Sequence, residues 1–253
     1  MKIRLHQFLS RCGAFTSKKE VKNAIWSGDI AVNGSIMKDI KFEFNPNKKV
    51  VTFREKILTL PTSDVYFLLN KPVGFICSRL NLQEKELGKK SIYELFRHTV
   101  PSTVYESLIT VGRLDEDTTG FLLVTSDGKL VEKITNPKNH VAKKYLVETK
   151  WEITEEEISQ IKSGVSITIS ESGYEKKYVS RPAIITLNDQ NIAVLTIDEG
   201  KKRQIRRMFD SLGNRVISIH RLAIGNMVLS EYNINLGEFQ EVTIDEINLS
   251  VFQ

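Results

Sequence analysis

The stretch "TVGRLDEDTTGFLLVTSDG", Thr110 to Gly128, sets one arginine and three acids directly ahead of an apolar run. Phe121 to Val124 reads as a buried strand, closed by the turn-forming Ser126, Asp127 and Gly128. Its entrance carries Arg113, Asp115, Glu116 and Asp117. That entrance is either an ordinary charged turn or the place where a carboxylate is presented at a sheet edge for chemistry. Gly120 is expected to let the chain turn into the strand.

Outward from this stretch, "VYFLLNKP", "KKYLVETKW", "RPAIITL", "IAVLTIDEG" and "RVISIHRLAIGNMVL" are further apolar or alternating runs punctuated by Gly, Pro, Asn or Asp. Helical patterns intervene at 91–96, 129–135, 155–163 and 203–212. Strands and helices do not alternate as βαβ repeats. The expected class is therefore α+β with a mixed or antiparallel sheet, not a doubly wound fold.

The chain has 253 residues and is 41% hydrophobic, enough for one large or two smaller domains with a substantial core. Its net charge of +5 is unevenly spread. Residues 1–60 hold 12 Lys and Arg against 5 Asp and Glu, and the remainder holds 24 against 26. A positive surplus confined to one segment fits a module that meets a polyanion, most often nucleic acid. Within it, "TSKKEVKNAIW" has the Ser17 and Glu20 spacing of a capping box. Val21, Ala24 and Ile25 share one helix face, and Lys18, Lys19 and Lys22 lie on another. Gly28 closes the helix, and "DIAVNGSIM" reads as a hairpin about Asn33 and Gly34. Pro61, Thr62, Ser63 and Asp64 make a turn-rich joint. The expected organisation is a small basic α/β domain over 1–58, a linker over 59–64 and a larger domain over 65–253.

Several function classes fall away. Cys12 and Cys77 form no CxxC pair, which argues against a disulfide framework and for the cytoplasm. "MKIRLHQFLSRCG" is interrupted by Arg4, His6 and Arg11, so it lacks the apolar core of a secretory signal, and no run approaches the roughly 18 apolar residues of a membrane span. His6, His98, His140 and His220 are scattered without ligand spacing, so no metal is expected. No Gly-rich phosphate loop supports nucleotide hydrolysis or dinucleotide binding.

A second charged motif, "DEGKKRQIRRMFDSLGNRV", runs from Asp198 to Val216. On a helix starting near Arg203, Ile205, Met208, Phe209 and Leu212 share one face, Arg203, Arg206 and Arg207 share the opposite one, and Gly213 ends it. Alone, this describes many amphipathic surface helices.

Taken together, "GRLDEDTTGFLLVTSDG" and "EGKKRQIRRMF" resemble the pseudouridine synthases, in particular the RsuA-type family that modifies uridines in ribosomal RNA. "NKPVGFICS", "KKYLVE" and "VISIHRLAIGNMVL" followed by "LGEF" extend the resemblance over nearly the whole chain, in the family's order. The first segment, through "IRLHQFLSRCG", "TSKKE" and "GDIAVNG", resembles the small RNA-binding module shared by a ribosomal small-subunit protein, some tRNA synthetases and many RNA-modifying enzymes. Where many relatives carry an Arg pair, this chain has Lys18 and Lys19, which keep the charge but lose the bidentate fork.

The resemblance implies roles position by position. Asp115 aligns with the single catalytic Asp, Arg206 with the basic residue that pairs with it, and Tyr145 with the active-site Tyr that packs against the target base. Arg113, Thr118 and Ile205 support the site. Lys18, Lys19, Lys22, Arg4, Lys71, Arg203 and Arg207 are the cations expected to touch RNA, although Lys71 and Pro72 also belong to a motif expected to be structural. Glu116 and Asp117 are expected to be solvated turn residues without a role in the reaction. Isomerising uridine needs no net redox change and no group donor, so neither cofactor nor metal is expected. The expected partner is ribosomal RNA or a pre-ribosomal particle, with no membrane contact, and the chain is expected to act as a monomer.

Two other readings compete. A non-catalytic RNA-binding or ribosome-assembly factor on the same fold would explain the basic segment, but the intact Asp115, Tyr145 and Arg206 set disfavours it. A glycoside hydrolase would need a second carboxylate flanking the bond, and none is identified. The "DEDTT" loop leans toward the small-subunit rRNA enzymes.

Overall fold

The computed structural model describes residues 2–15, 17–60, 63–171 and 174–252. Pro61 and Thr62 of the expected joint lie outside the described residues. The chain forms two compact units: residues 1–65 with 93–109 and 125–127, and residues 66–92 with 110–124 and 128–253.

In the first unit, the helix Lys18–Ser27 starts where the Ser17 side chain accepts from the Glu20 amide, and it stops at Gly28 in the left-handed conformation. Its buried face is Val21, Ala24 and Ile25, as the spacing requires, and Lys18, Lys19 and Lys22 are exposed. Ile30–Val32 and Ser35–Ile36 pair antiparallel across a two-residue turn. Asn33 and Gly34 there both have positive φ, at 49° and 81°, the geometry that matches the twist of the strands. Phe8, Phe15, Ile25, Ile30 and Phe44 meet in one core. Asp64, at the end of the expected joint, accepts two bonds from Arg11 at 2.9 and 3.1 Å.

The second unit is built on a nine-stranded sheet. Its main path runs Ile184–Asp189, Ile192–Ile197, Lys143–Thr149, Val216–Ile224, Thr118–Thr125, Tyr66–Lys71 and Phe239–Glu241. Thr118–Thr125 and Val216–Ile224 run parallel, whereas Lys143–Thr149 is antiparallel to both of its neighbours. The sheet is therefore mixed. Phe121 to Val124 are all at or below 1% exposed, which accounts for the unbroken apolar run. Two clusters fill the layers: one gathers Phe121, Leu123, Leu130 and Met227, and the other gathers Val147, Leu195, Met208 and Phe209 beneath the helix Gln204–Ser211.

Gly120 corrects one expectation. It lies inside the Thr118–Thr125 strand, not at a turn before it. Its φ is +99°, and a Cβ there would stand 2.4 Å from the Arg221 carbonyl oxygen and 2.8 Å from the Arg221 nitrogen. Glycine is required because the neighbouring backbone approaches closely.

Candidate active site

Gly112 to Glu116 and Thr118 line a cavity of about 470 Å³, a size suited to one small ligand or one base. Several segments build it. The turn supplies Arg113, Leu114, Asp115, Glu116 and Thr118. The strand Lys143–Thr149 supplies Tyr145, the 76–78 segment supplies Cys77, and the loop entering the helix Gln204–Ser211 supplies Gly200 to Ile205. Apolar walls come from Ile197, Ile205 and Ile219. Tyr145 is aimed by a bulge: Lys144 pairs with Ala223 but Tyr145 pairs with Arg221, leaving Leu222 extra on the partner strand.

The structure thus brings Asp115, Tyr145, Arg113, Thr118, Ile205 and Arg203 to one cavity. It changes the expected pairing of Arg206. That side chain is 7% exposed and does not face solvent opposite the apolar face. Its Nη2 lies 3.0 Å from the carboxylate of Asp117, not of Asp115, and also donates to the Asp117 carbonyl at 3.4 Å. Nη1 donates to the Val216 carbonyl at 3.3 Å. Arg203 approaches the same carboxylate at 3.5 Å. Among the described residues no hydrogen bond or ion pair engages the Asp115 carboxylate.

Asp117 and Glu116 are consequently not idle turn residues. Glu116 takes Lys89 at 2.6 Å, and its carbonyl accepts from the Gly74 amide at 2.8 Å. The turn is clamped on both sides because each acid beside Asp115 has its own cation.

Lys71 also departs from expectation. It is 0% exposed, and its ammonium donates to the carbonyls of Thr118 at 2.8 Å, Pro72 at 2.9 Å and Glu116 at 3.4 Å. A side chain consumed by three buried carbonyls cannot reach an RNA phosphate. Burial pulls its pKa below the usual lysine value, and the acids of the turn act in the opposite sense. Arg207 is half-buried, whereas Lys18, Lys19, Lys22, Arg4 and Arg203 are exposed. Arg4 is joined to Glu43 at 3.1 Å.

Sequence reasoning missed two supports of the cavity. Cys77 lies at its base and accepts from the Leu114 amide at 3.4 Å, and burial pushes its thiol pKa up, so it stays protonated. Buried Glu199 fixes the Gly200–Arg203 loop: it accepts from Gln204 Nε2 at 2.5 Å, from the Arg181 amide at 3.0 Å and from the Tyr178 hydroxyl. The Tyr178 pKa is pushed up to about 12, first by that bond and then by burial, and the Lys201 ammonium sits 4.8 Å from its ring centroid. The "DEG" before "KKRQIRR" was the only visible trace of this anchor. Among the described residues no cluster of three His, Cys, Asp or Glu side chains is arranged to hold a metal ion, and no helix is long and apolar enough to cross a membrane.

Comparison with known proteins gives a consistent result. Residues 65–211 match the family described as RNA pseudouridylate synthase. The chain is 33% identical over 249 residues to an uncharacterized RNA pseudouridine synthase of Bacillus subtilis, covering 98% of each chain. It is 32% identical over 245 residues to the ribosomal small subunit pseudouridine synthase A of Haemophilus influenzae, covering 97% of this chain and 98% of that one. A solved structure titled "Crystal structure of pseudouridylate synthase" superposes with a TM-score of 0.66 at 31% identity, covering 97% of this chain and 98% of the other.

Proposed function

The chain belongs to the RNA pseudouridylate synthase family, and on that premise we propose that it isomerises a uridine of ribosomal RNA to pseudouridine with Asp115 as its catalytic carboxylate. What supports the reading is one observation. Asp115 and Tyr145, contributed by a turn and a strand some thirty positions apart, line the same base-sized cavity.

The reaction breaks the bond between the ribose anomeric carbon and N1 of uracil, turns the base, and rejoins the sugar to C5, which then loses its proton. A carboxylate that no described residue engages in an ion pair can act on the sugar, either by attack at the anomeric carbon or by removing a proton from the ribose. Tyr145 offers an aromatic face to a uracil lifted from its stack. Ile197, Ile205 and Ile219 keep the cavity walls apolar, which lowers the local dielectric and strengthens the electrostatics of the turn. Arg113, Lys201, Lys202 and Arg203 at the rim suit the phosphates flanking the target. The module over 1–58, with Lys18, Lys19, Lys22 and Arg4 exposed, holds the RNA elsewhere.

We assign the small-subunit rRNA as the target, in line with the "DEDTT" loop and with the name of the Haemophilus influenzae relative, a ribosomal small subunit pseudouridine synthase. The chain works as a monomer in the cytoplasm. The decisive experiment compares wild type with Asp115→Asn on rRNA tritiated at C5 of uracil. Wild type releases tritium, and the variant folds and binds RNA but releases none. Turnover by the variant would remove Asp115 from the mechanism. Mapping pseudouridines in both rRNAs with and without the gene identifies the target.

A further inference from the structure

Lys201 stands apart from the other cations at the mouth of the cavity. The loop Gly200 to Arg203 brings Lys201, Lys202 and Arg203 to the lining. Arg203 approaches the Asp117 carboxylate at 3.5 Å, and Lys202 is exposed. Lys201 is half-buried, and its ammonium rests over the Tyr178 ring, 4.8 Å from the centroid. Among the described residues no carboxylate pairs with it. A ring face attracts a cation without neutralising it, so this charge is fixed in place and still open to an anion. The ring covers only one side of a compact head that carries three donors.

Tyr178 is itself held from two directions. It belongs to the strand Tyr174–Val179, which pairs antiparallel with Ser166–Glu171, and it lies opposite Ile167, a fully buried member of the core against which Tyr178 packs. Its hydroxyl donates to Glu199, which is buried. The same carboxylate accepts from Gln204 Nε2 at 2.5 Å, and Gln204 Oε1 in turn accepts from the Lys201 amide at 2.9 Å. These links close on themselves. One route runs from the Tyr178 hydroxyl through Glu199 and Gln204 to the Lys201 backbone, and the other returns from the Lys201 side chain to the Tyr178 ring. With its pKa pushed up to about 12, the hydroxyl remains a donor throughout the neutral range.

We propose that Tyr178 is a positioning residue for RNA binding: its ring seats the Lys201 ammonium at the mouth of the cavity, where it meets a phosphate next to the target uridine. The proposal rests on the functional reading given above. A base lifted from its stack into the cavity brings its own backbone to the rim, so the neighbouring phosphates arrive where Lys201 is held. A free lysine gives up rotamer freedom when it meets a phosphate, whereas a lysine seated on a ring has already lost it on folding. The seated charge also discriminates. An exposed lysine on a mobile side chain rewards any phosphate within reach, but Lys201 rewards a backbone that has delivered its base to the cavity.

The test uses the full-length protein and small-subunit rRNA tritiated at C5 of uracil, with affinity titrated at several salt concentrations beside tritium release and thermal melting. Lys201→Gln should flatten the slope of log affinity against log salt by about 1. Tyr178→Leu removes the ring and should weaken affinity about three- to tenfold, the cost of ordering one long side chain, with kcat within about twofold of wild type. On the Lys201→Gln background the same change should cost less than about 1.5-fold, because the cation it served is gone. Tyr178→Phe keeps the ring, loses the hydroxyl and should retain at least about half of the wild-type affinity. Lys177→Gln is the control: it removes the same charge from an exposed lysine of the same strand, whose ammonium lies 3.1 Å from the Thr168 hydroxyl, and should leave affinity as in wild type. An unchanged salt slope for Lys201→Gln, or equal losses for Lys201→Gln and Lys177→Gln, overturns the proposal whatever the Tyr178 variants do. If Tyr178→Phe and Tyr178→Leu bind equally weakly, or Tyr178→Leu costs as much without Lys201 as with it, Tyr178 acts through folding alone and the proposal is overturned while the reading of Asp115 stands. If wild type binds the rRNA but releases no tritium, the functional reading falls, and the proposal falls with it.

Discussion

Gly120 and Arg221 face each other across the parallel pairing of Thr118–Thr125 with Val216–Ile224, so close that a single added carbon on Gly120 would lie 2.4 Å from the Arg221 carbonyl oxygen. That proximity joins the strand behind the Asp115 turn to the strand that pairs with Tyr145. Gly120→Ala would combine left-handed strain of about 1–2 kcal/mol with overpacking of about 1–3 kcal/mol. For a chain of this size the melting temperature should fall by roughly 5–15 °C. Gly200→Ala is the control. It has no neighbour within 4 Å and an ordinary φ, and its melting curve should overlay that of wild type.

Tyr145 should contribute to turnover through its ring. Replacing it by Leu keeps an apolar side chain but removes the stacking face, worth about 1–3 kcal/mol per base. The corresponding loss in kcat/KM is about 5- to 150-fold, read by tritium release. Loss of less than twofold would show that the target base does not rest on this ring.

The lysines of the first module should act as phosphate contacts, not as sequence readers. Changing Lys18, Lys19 and Lys22 together to Gln should weaken RNA binding similarly for any sequence. It should also flatten the slope of log affinity against log salt by about 2 to 3. Titrations at several salt concentrations check this, and an unchanged slope would place the RNA elsewhere.

Lys143 supplies a pH signature. Burial first, and then the neighbouring Arg221, lower its pKa to about 8, with Asp198 opposing. In the unfolded chain it titrates near the model value of 10.5. Between those limits the unfolded state binds the extra proton, so this group makes the folded state more stable as pH rises from about 8 toward 10.5. Below about 8 the buried charge is a fixed cost. Lys143→Met should therefore remove an upward component of the melting temperature in that window and raise stability at pH 7. Parallel profiles for variant and wild type would contradict the assignment.

The parts legible in the sequence were those governed by local rules. Ser17, Gly28 and the Asn33-Gly34 pair acted through capping and turn geometry that any neighbourhood allows, and the helix Glu155–Ser163 begins and ends where its periodicity says. The unbroken run at Phe121 announced a strand covered on both faces. What could not be read were partnerships across long separations. Arg206 was legible as a cation near the turn, but which of three adjacent acids it meets depends on strand alternation and on the path of the helix. It meets Asp117. Lys71 looked like a surface cation because lysine is rarely buried, and only the three carbonyls converging on it overrule that preference. Gly120 was assigned to a turn from composition, yet its conformation is imposed by a strand a hundred positions away.

The pairing of Thr118 with Ile219 also sets an order in time. When the ribosome has made the Asp115 turn, neither the arginine that braces it nor the strand that flanks it exists. A nascent chain stopped short of the Val216–Ile224 strand therefore has the acid but not its surroundings. The site can form only once the Val216–Ile224 strand has been made, so copies that stop before it should be unable to modify RNA.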